Sequence, residues 1–249
     1  MSYKFSKAFL ILQMKTHVPM TDIRQFTCNP FEEHAYLVSD GNGAAVLVDP
    51  GFLGNGETGA LDALLEKEGL RLQAILLTHA HFDHIYGVKH CVEKYGIPVY
   101  LHPDEEPVLR GDAVFAAGCG MPVPDTDWVP ASVSDGEVLR FGEMVFKVIA
   151  TPGHSPGGVC YLCEEDGQLF SGDTLFAGTI GNTQLPWADY DKLIVSVMEK
   201  LMGLDADTDV HPGHGGGTTI GYERTHNPFL QPFNEKDPET GWVDGIEYR

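Results

Sequence analysis

The string Thr78-His79-Ala80-His81-Phe82-Asp83-His84 constrains this chain more than any other feature. Its last six residues hold three imidazoles and one carboxylate. Burying such a run as ordinary packing is costly, because every imidazole nitrogen then needs a partner. A metal site removes that difficulty, since imidazole nitrogen and carboxylate oxygen are common ligands of zinc and iron. The apolar stretch Ala74-Ile75-Leu76-Leu77 comes directly before it and reads as a buried strand. The histidines therefore sit where a strand gives way to a loop. His79 and His81, two residues apart, can reach one metal. Asp83 and His84, where the chain turns into a helix, can reach a second.

Three later segments repeat the same arrangement. Thr151-Pro152-Gly153-His154-Ser155-Pro156-Gly157 follows a strand ending at Ile149. Ser171-Gly172-Asp173-Thr174 follows one ending at Phe170, and Pro212-Gly213-His214-Gly215 follows one near Val210. Glycine lets each turn bend tightly and approach its neighbours closely. Open α/β sheets place their sites at this edge of the strands. Seven candidate ligands result: His79, His81, Asp83, His84, His154, Asp173 and His214. The other histidines, His17, His34, His90, His102, His211 and His226, receive no ligand role. His211 is close enough in sequence to stand behind His214.

The rest of the chain supplies alternating strands and helices. Ile23 to Cys28, Ala35 to Ser39 and Ala44 to Asp49 read as strands, with Asp40-Gly41-Asn42-Gly43 as a hairpin turn. Gly59 to Lys67 reads as a helix capped by Thr58, and Ile85, Val88, Val92 and Tyr95 space as one helix face. Val99 to Leu101 is a short strand. Residues 111–133 show little periodicity and read as a long surface loop. Strands return at Met144 to Ile149, Val159 to Leu162 and Gln168 to Phe170. An amphipathic helix spans Asp189 to Met202, then a strand near Thr208 to His211 and a short helix from Thr219. The expected organisation is an extension over residues 1–21, one α/β domain over 22–230 and a polar tail over 231–249.

Charge and cysteine content exclude several functions. The 36 acidic residues against 16 basic ones give a net charge of −20, which is the wrong sign for a nucleic-acid binder. Such a field repels anionic substrates unless bound dications reverse it locally. Five cysteines in a chain of 249 residues do not form a disulfide framework. Cys160 and Cys163 form a CxxC, but strand alternation points them to opposite faces. No apolar run reaches the ~18 residues of a membrane span. No cleavage site follows Ala8 to Leu12, so a cytoplasmic location is expected.

The motifs Thr78 to His84, Thr151 to Gly157, Ser171 to Phe176 and Pro212 to Gly215 together resemble the metallo-β-lactamase superfamily, and within it the glyoxalase II-like hydrolases. The resemblance covers nearly everything after about Asp22. It implies a four-layer αββα sandwich with two divalent metals along one edge, zinc first and iron or manganese as options. By residue, it implies that His79, His81 and His154 bind the first metal and Asp83, His84 and His214 the second, with Asp173 bridging. It further implies hydrolysis of a small acyl thioester by a metal-bridged hydroxide, with Asp83 orienting that hydroxide and S-lactoylglutathione as the reference substrate. The chain after His214 is short, so it resembles the short bacterial members, whose ends are similar to Thr219 to Arg224 and Asn227 to Leu230.

Alternatives within the superfamily differ in their ligands. Antibiotic-hydrolysing members generally lack the bridging carboxylate that Asp173 would supply. Persulfide dioxygenases use one iron, to which His79, His154 and Asp173 would correspond, and lactonases share the motif set. After Asp173 the family's usual run is replaced by Gly181-Asn182-Thr183-Gln184-Leu185-Pro186-Trp187-Ala188, where Asn182 stands for a cation and Gln184 for an acid. Asn182 and Trp187 are the expected substrate contacts, while Phe176 is expected in the core.

Overall fold

The structure, a computed structural model, describes residues 21–231. The N-terminal extension and the C-terminal tail therefore lie outside the described residues, apart from Thr21 and Gln231. The first sheet contains β1 (Asp22–Cys28), β2 (Glu33–Ser39), β3 (Ala44–Val48), β4 (Arg71–Leu76), β5 (Val99–Leu101) and β6 (Ala131–Ser132), in that spatial order. Its first two pairings are antiparallel and its last three parallel. Parallel neighbours need a crossover, which α1 (Gly54–Glu68), α2 (Phe82–Ile85) with α3 (Val88–Tyr95), and α4 (Glu106–Gly118) provide. After β7 (Val138–Phe141), β8 (Met144–Ala150), β9 (Val159–Cys163) and β10 (Gln168–Gly172) come a small hairpin, β11 (Leu175–Phe176) and β12 (Thr179–Ile180), and α5 (Tyr190–Ser196). The chain closes with β13 (Asp209–Pro212), β14 (Thr218–Thr219) and α6 (Ile220–His226). The second sheet runs β14-β13-β10-β9-β8-β7.

Strand alternation builds the layers. In β2 and β3, Val38, Val46 and Val48 face the second sheet and meet Phe146, Val148, Tyr161 and Phe170. Their neighbours Leu37, Ala45 and Leu47 face the opposite way, onto Leu61 and Leu65 of α1 and Val88 and Cys91 of α3. The outer face of the second sheet, through Ile149, Leu162, Leu169 and Val210, packs on Leu193 of α5, Val197, Leu201 and Ile220. Helix, sheet, sheet and helix thus stack as the expected αββα sandwich. Cys160 and Cys163 fall in different layers, as alternation requires, and all five cysteines are free.

Several elements differ from the sequence expectation. The first helix starts at Gly54, capped by Leu53 without a side-chain bond. Thr58 lies inside it and donates its hydroxyl to the Gly54 carbonyl. The helix face from Ile85 to Tyr95 is broken at Gly87, where a side chain would strike the Pro50 carbonyl and the Phe52 ring within 3.0 Å. Residues 111–118 are not loop. They complete α4, which starts at Glu106 with Pro107 in its first turn and buries Val108, Asp112 and Ala116 four apart. Gly111, Cys119 and Gly120 masked that spacing in the sequence. The last long helix starts at Tyr190 from an Asp189 cap and passes after Ser196 into a π-helical turn, Val197–Leu201. Among the described residues, no helix is long and apolar enough to cross a membrane.

Candidate metal centre

All seven candidate ligands converge on one rim of the sandwich. His79, His81, Asp83 and His84 lie on the segment that leaves β4 and enters α2. His154 follows β8, Asp173 follows β10 and His214 follows β13. The ligand atoms of His79, His81 and His154 lie within 4.8 Å of one another, and so do those of Asp83, His84 and His214. Each triad takes two ligands from the first sheet's side and one from the second. Asp173 stands between them. Its Oδ2 is 3.4 Å from His154 Nε2 and 3.7 Å from His214 Nε2, and its Oδ1 is 3.5 Å from His84 Nε2. Gly213 makes this approach possible, because a Cβ there would collide with Asp173 Oδ1 and His84.

The hydrogen bonds behind the rings aim them. His154 Nδ1 donates to the Asn182 carbonyl at 2.9 Å, and His214 Nδ1 donates to the Phe31 carbonyl at 3.0 Å. His84 Nδ1 donates to Asp49 Oδ2 at 3.2 Å, and His79 Nδ1 lies 3.0 Å from Thr78 Oγ1. In each ring this turns Nε2 toward the centre, the arrangement that metal-binding histidines use. His81 is the exception, since its Nδ1 faces His154 Nε2 at 3.0 Å. His79 Nε2, His84 Nε2 and Asp173 Oδ1 are buried without a hydrogen-bond partner. Orphaned lone pairs converging in this way are costly unless a cation satisfies them. The nitrogen and oxygen donor set fits zinc, iron or manganese. Asp49, His79 and His84 also approach within 4.8 Å. Asp49 is already occupied, however, by Thr78 N at 2.7 Å, Thr78 Oγ1 at 2.5 Å and the Nδ1 side of His84. It therefore supports the ligands from behind.

The two triads differ electrostatically. Burial and neighbouring imidazoles hold His79 well below the ordinary histidine range and push His81 down to about 3. His154 is lowered too, chiefly by burial. At His84 burial also opposes the charge, but Asp83, Asp173 and Asp49 outweigh it and raise the pKa well above normal. At His214 burial is likewise overcome, by Asp83 and Asp173. Ligands must be deprotonated to bind metal. The first triad is therefore ready at neutral pH, while His84 and His214 must release protons. As pH falls, the second triad should lose affinity first, and the first only in stronger acid. Metal titrations of the stripped protein from pH 8 to 5 with a competing chelator test this. Equal loss from both triads would contradict it.

Some supporting groups escaped the sequence reading. Asp49 sits with φ +45° on the Asp49-Pro50-Gly51 turn at the end of β3. That is the same polar residue on a glycine-bearing turn that marked His154, Asp173 and His214, so the signal was present. Glu33 is fully buried 3.7 Å from His84 Nδ1, and burial raises its pKa well above normal. Glu105, also fully buried, accepts Ala80 N at 2.9 Å and Gly157 N at 2.7 Å. It thereby ties the His79–His81 loop to the loop carrying His154. Nothing in an acid-rich sequence distinguishes either glutamate. Glu105→Gln keeps the shape but sets an amide NH2 against a backbone N–H. The first triad should then bind metal about 10–100-fold more weakly, with the second unaffected. A chelator competition that shows both sites unchanged would remove Glu105 from this role.

The remaining expectations divide. Asn182 lines a cavity of about 640 Å³ that opens from Asp173 and His214. Its carbonyl holds His154, and its side chain accepts from Gln184 N. Phe176 lines the same cavity, 6.4 Å from the His214 ring, so it is not a core residue. Trp187 is absent from this lining and packs its ring on Gly111 of α4. His211 does not stand behind His214. Its Nε2 pairs with Gln168 Oε1 at 2.6 Å and its ring stacks on Phe170.

Comparison with known proteins agrees with this geometry. The family model described as the metallo-beta-lactamase superfamily matches residues 28–214. The hydroxyacylglutathione hydrolase GloC of Haemophilus influenzae is 34% identical over 206 residues, which cover 80% of this chain and 93% of that protein. Two solved structures are similar over the whole of their own chains. TTHA1623 in a di-iron-bound form has a TM-score of 0.75 at 44% identity and covers 83% of this chain. The BLEG-1 B3 metallo-beta-lactamase has a TM-score of 0.76 at 39% identity and covers 84%. With its fold, its seven converging side chains and this match, the chain belongs to the metallo-β-lactamase superfamily, a family of metal-dependent hydrolases.

Proposed function

We propose that this protein is a dinuclear hydrolase of small acyl thioesters, the reaction class that the name of the relative GloC, hydroxyacylglutathione hydrolase, describes. The observation that carries the dinuclear reading is Asp173, whose two oxygens face imidazoles of both triads within 3.7 Å. His79, His81 and His154 would hold one ion, Asp83, His84 and His214 the other, and Asp173 both. When bound, two such dications acidify water and polarise a carbonyl. Zinc is the first choice. Iron is the second, favoured by the di-iron form of TTHA1623.

The chain's own groups fit a thioester. Asp83 is buried, yet His84 and His214 outweigh the burial and keep its pKa far below the usual carboxylate range. It is ionised throughout the working range and can accept a hydrogen bond from the attacking water. Water adds to the thioester carbon, the C–S bond breaks, and the thiolate leaves and takes up the released proton. A thiolate with a pKa near ~8.5 leaves without an acid. An amide nitrogen must be protonated. Among the described residues, the cavity lining carries no carboxyl group besides Asp173, and Asp83, beside His214, is held ionised, which disfavours lactam cleavage despite the likeness to BLEG-1.

The test is thioester cleavage by protein loaded with zinc, iron or manganese, followed at the thioester absorbance. S-lactoylglutathione, a cephalosporin and glutathione persulfide are run in parallel. Thioester loss without oxygen uptake supports the proposal. Oxygen uptake with the persulfide and no thioester cleavage would replace it with a mononuclear iron oxygenase built on His79, His154 and Asp173.

A further inference from the structure

The cavity beyond the metal centre has a built wall. Phe176 comes from β11, Tyr190 from the start of α5, and Phe229 from the turn after α6. Three separate segments thus bring an aromatic ring to one space. Tyr190 and Phe229 keep 48% and 41% of their surface exposed, although large apolar surface is normally covered. Phe229 and the hairpin that carries Phe176 are held from behind by Glu223 and Asn227, both fully buried. Asn227 Oδ1 accepts Phe229 N at 3.0 Å, and its Nδ2 donates to the Thr179 carbonyl at 3.1 Å and to Glu223 Oε2 at 2.8 Å. Glu223 also accepts Gly178 N at 2.9 Å and the Thr218 hydroxyl at 2.6 Å. The β11–β12 hairpin and Phe229 are therefore anchored to one helix and its end, so two of the three rings are held in place before a ligand arrives.

The chemistry of the lining is one-sided. Its polar side chains other than Asp173 and His214 are neutral, chiefly Asn182, Thr183 and Gln184. Among the described residues, neither a lysine nor an arginine lines it. A glutathionyl group brings two carboxylates and one ammonium. Beyond the metal ligands, its carboxylates would lose water here without meeting a Lys or Arg side chain among the described residues, in a chain of net charge −20. An uncharged group with apolar or aromatic surface loses nothing comparable and covers the three rings.

We propose that the thiol half selected by this enzyme is uncharged and carries apolar or aromatic surface, seated on Phe176, Tyr190 and Phe229, and is not glutathione. The proposal rests on the thioesterase reading, and two measurements keep the two apart. The first is kcat/KM of the full-length metal-loaded protein for lactoyl thioesters of glutathione and of a neutral aromatic thiol of matched pKa. The second is calorimetric binding of the corresponding thioethers, which cannot be hydrolysed.

The aromatic thioester should be preferred by roughly tenfold or more, with the same order in binding. Phe229→Ala and Tyr190→Ala should each lower kcat/KM for the aromatic substrate about tenfold and for the glutathione substrate clearly less. Gln184→Lys should improve the glutathione thioester alone. Preference for glutathione in both measurements, or equal losses with both substrates in the alanine variants, overturns the assignment while the thioesterase reading stands. Selective binding of the aromatic thioether without any thioester turnover keeps the assignment and ends the thioesterase reading.

Discussion

Asp173→Asn should lower turnover by about a thousandfold or more and reduce bound metal from two ions toward one per chain. The amide keeps the size of the carboxylate but not its charge. One of its two heads becomes an NH2 that can only donate. His154 and His84, 3.4 and 3.5 Å from the two oxygens, would no longer share an anion with His214. Loss of one dication removes several kcal/mol of charge stabilisation in the transition state. At about 1.4 kcal/mol per tenfold, that is on the order of three decades. Metal analysis of the purified variant and its kcat provide the check. Two retained ions with near-normal turnover would mean that Asp173 bridges nothing. His211→Ala is the matched control. It breaks a bond to Gln168 and a stack on Phe170, both away from the ligands, so metal content should not change.

Asp83→Ala should be nearly as severe for a different reason. Asp83 Oδ2 lies 3.3 Å from His214 Nε2, and this carboxylate belongs to the second triad. Its removal takes away a ligand and the acceptor for the attacking water. Loss of an acid–base partner alone typically costs about 10²–10⁴-fold. The first triad shares no atom with Asp83, so it should keep its metal. Asp83→Asn restores the volume without the charge and should recover folding stability but little activity. Wild-type rates in the asparagine variant would show that the negative charge is not needed.

The seven rim residues were legible because their environment forces a simple pattern. Four of them follow an apolar strand in one dense His/Asp run, the other three sit on glycine-bearing turns after apolar strands, and the structure brings all seven to one rim. The layer order was legible for a related reason. Strands buried on both faces read as short apolar runs, as Leu37-Val38 and Val46-Leu47-Val48 do. What stayed hidden depends on tertiary neighbours. Glu105 matters because two distant backbone N–H groups meet at it, which no local pattern records. The N-terminal part of α1 carries Gly54, Gly56 and Gly59, so its helical state comes from packing and not from propensity. Phe176 read as core because an aromatic residue after a strand usually is. Only the cavity shows which side of it is open.

The split origin of the triads couples metal binding to the docking of the two sheets. Neither sheet's side alone offers more than two ligands of either triad. His154 and His214 meet their partners where the second sheet docks on the first, a contact that includes Val159 N on the Thr78 carbonyl. Tight capture of an ion therefore needs both sheets in place, as a clasp needs both edges. By mass action, bound metal would lower the population of forms in which the sheets have parted. Chelation should then expose the rim to proteases before it unfolds either layer of helices.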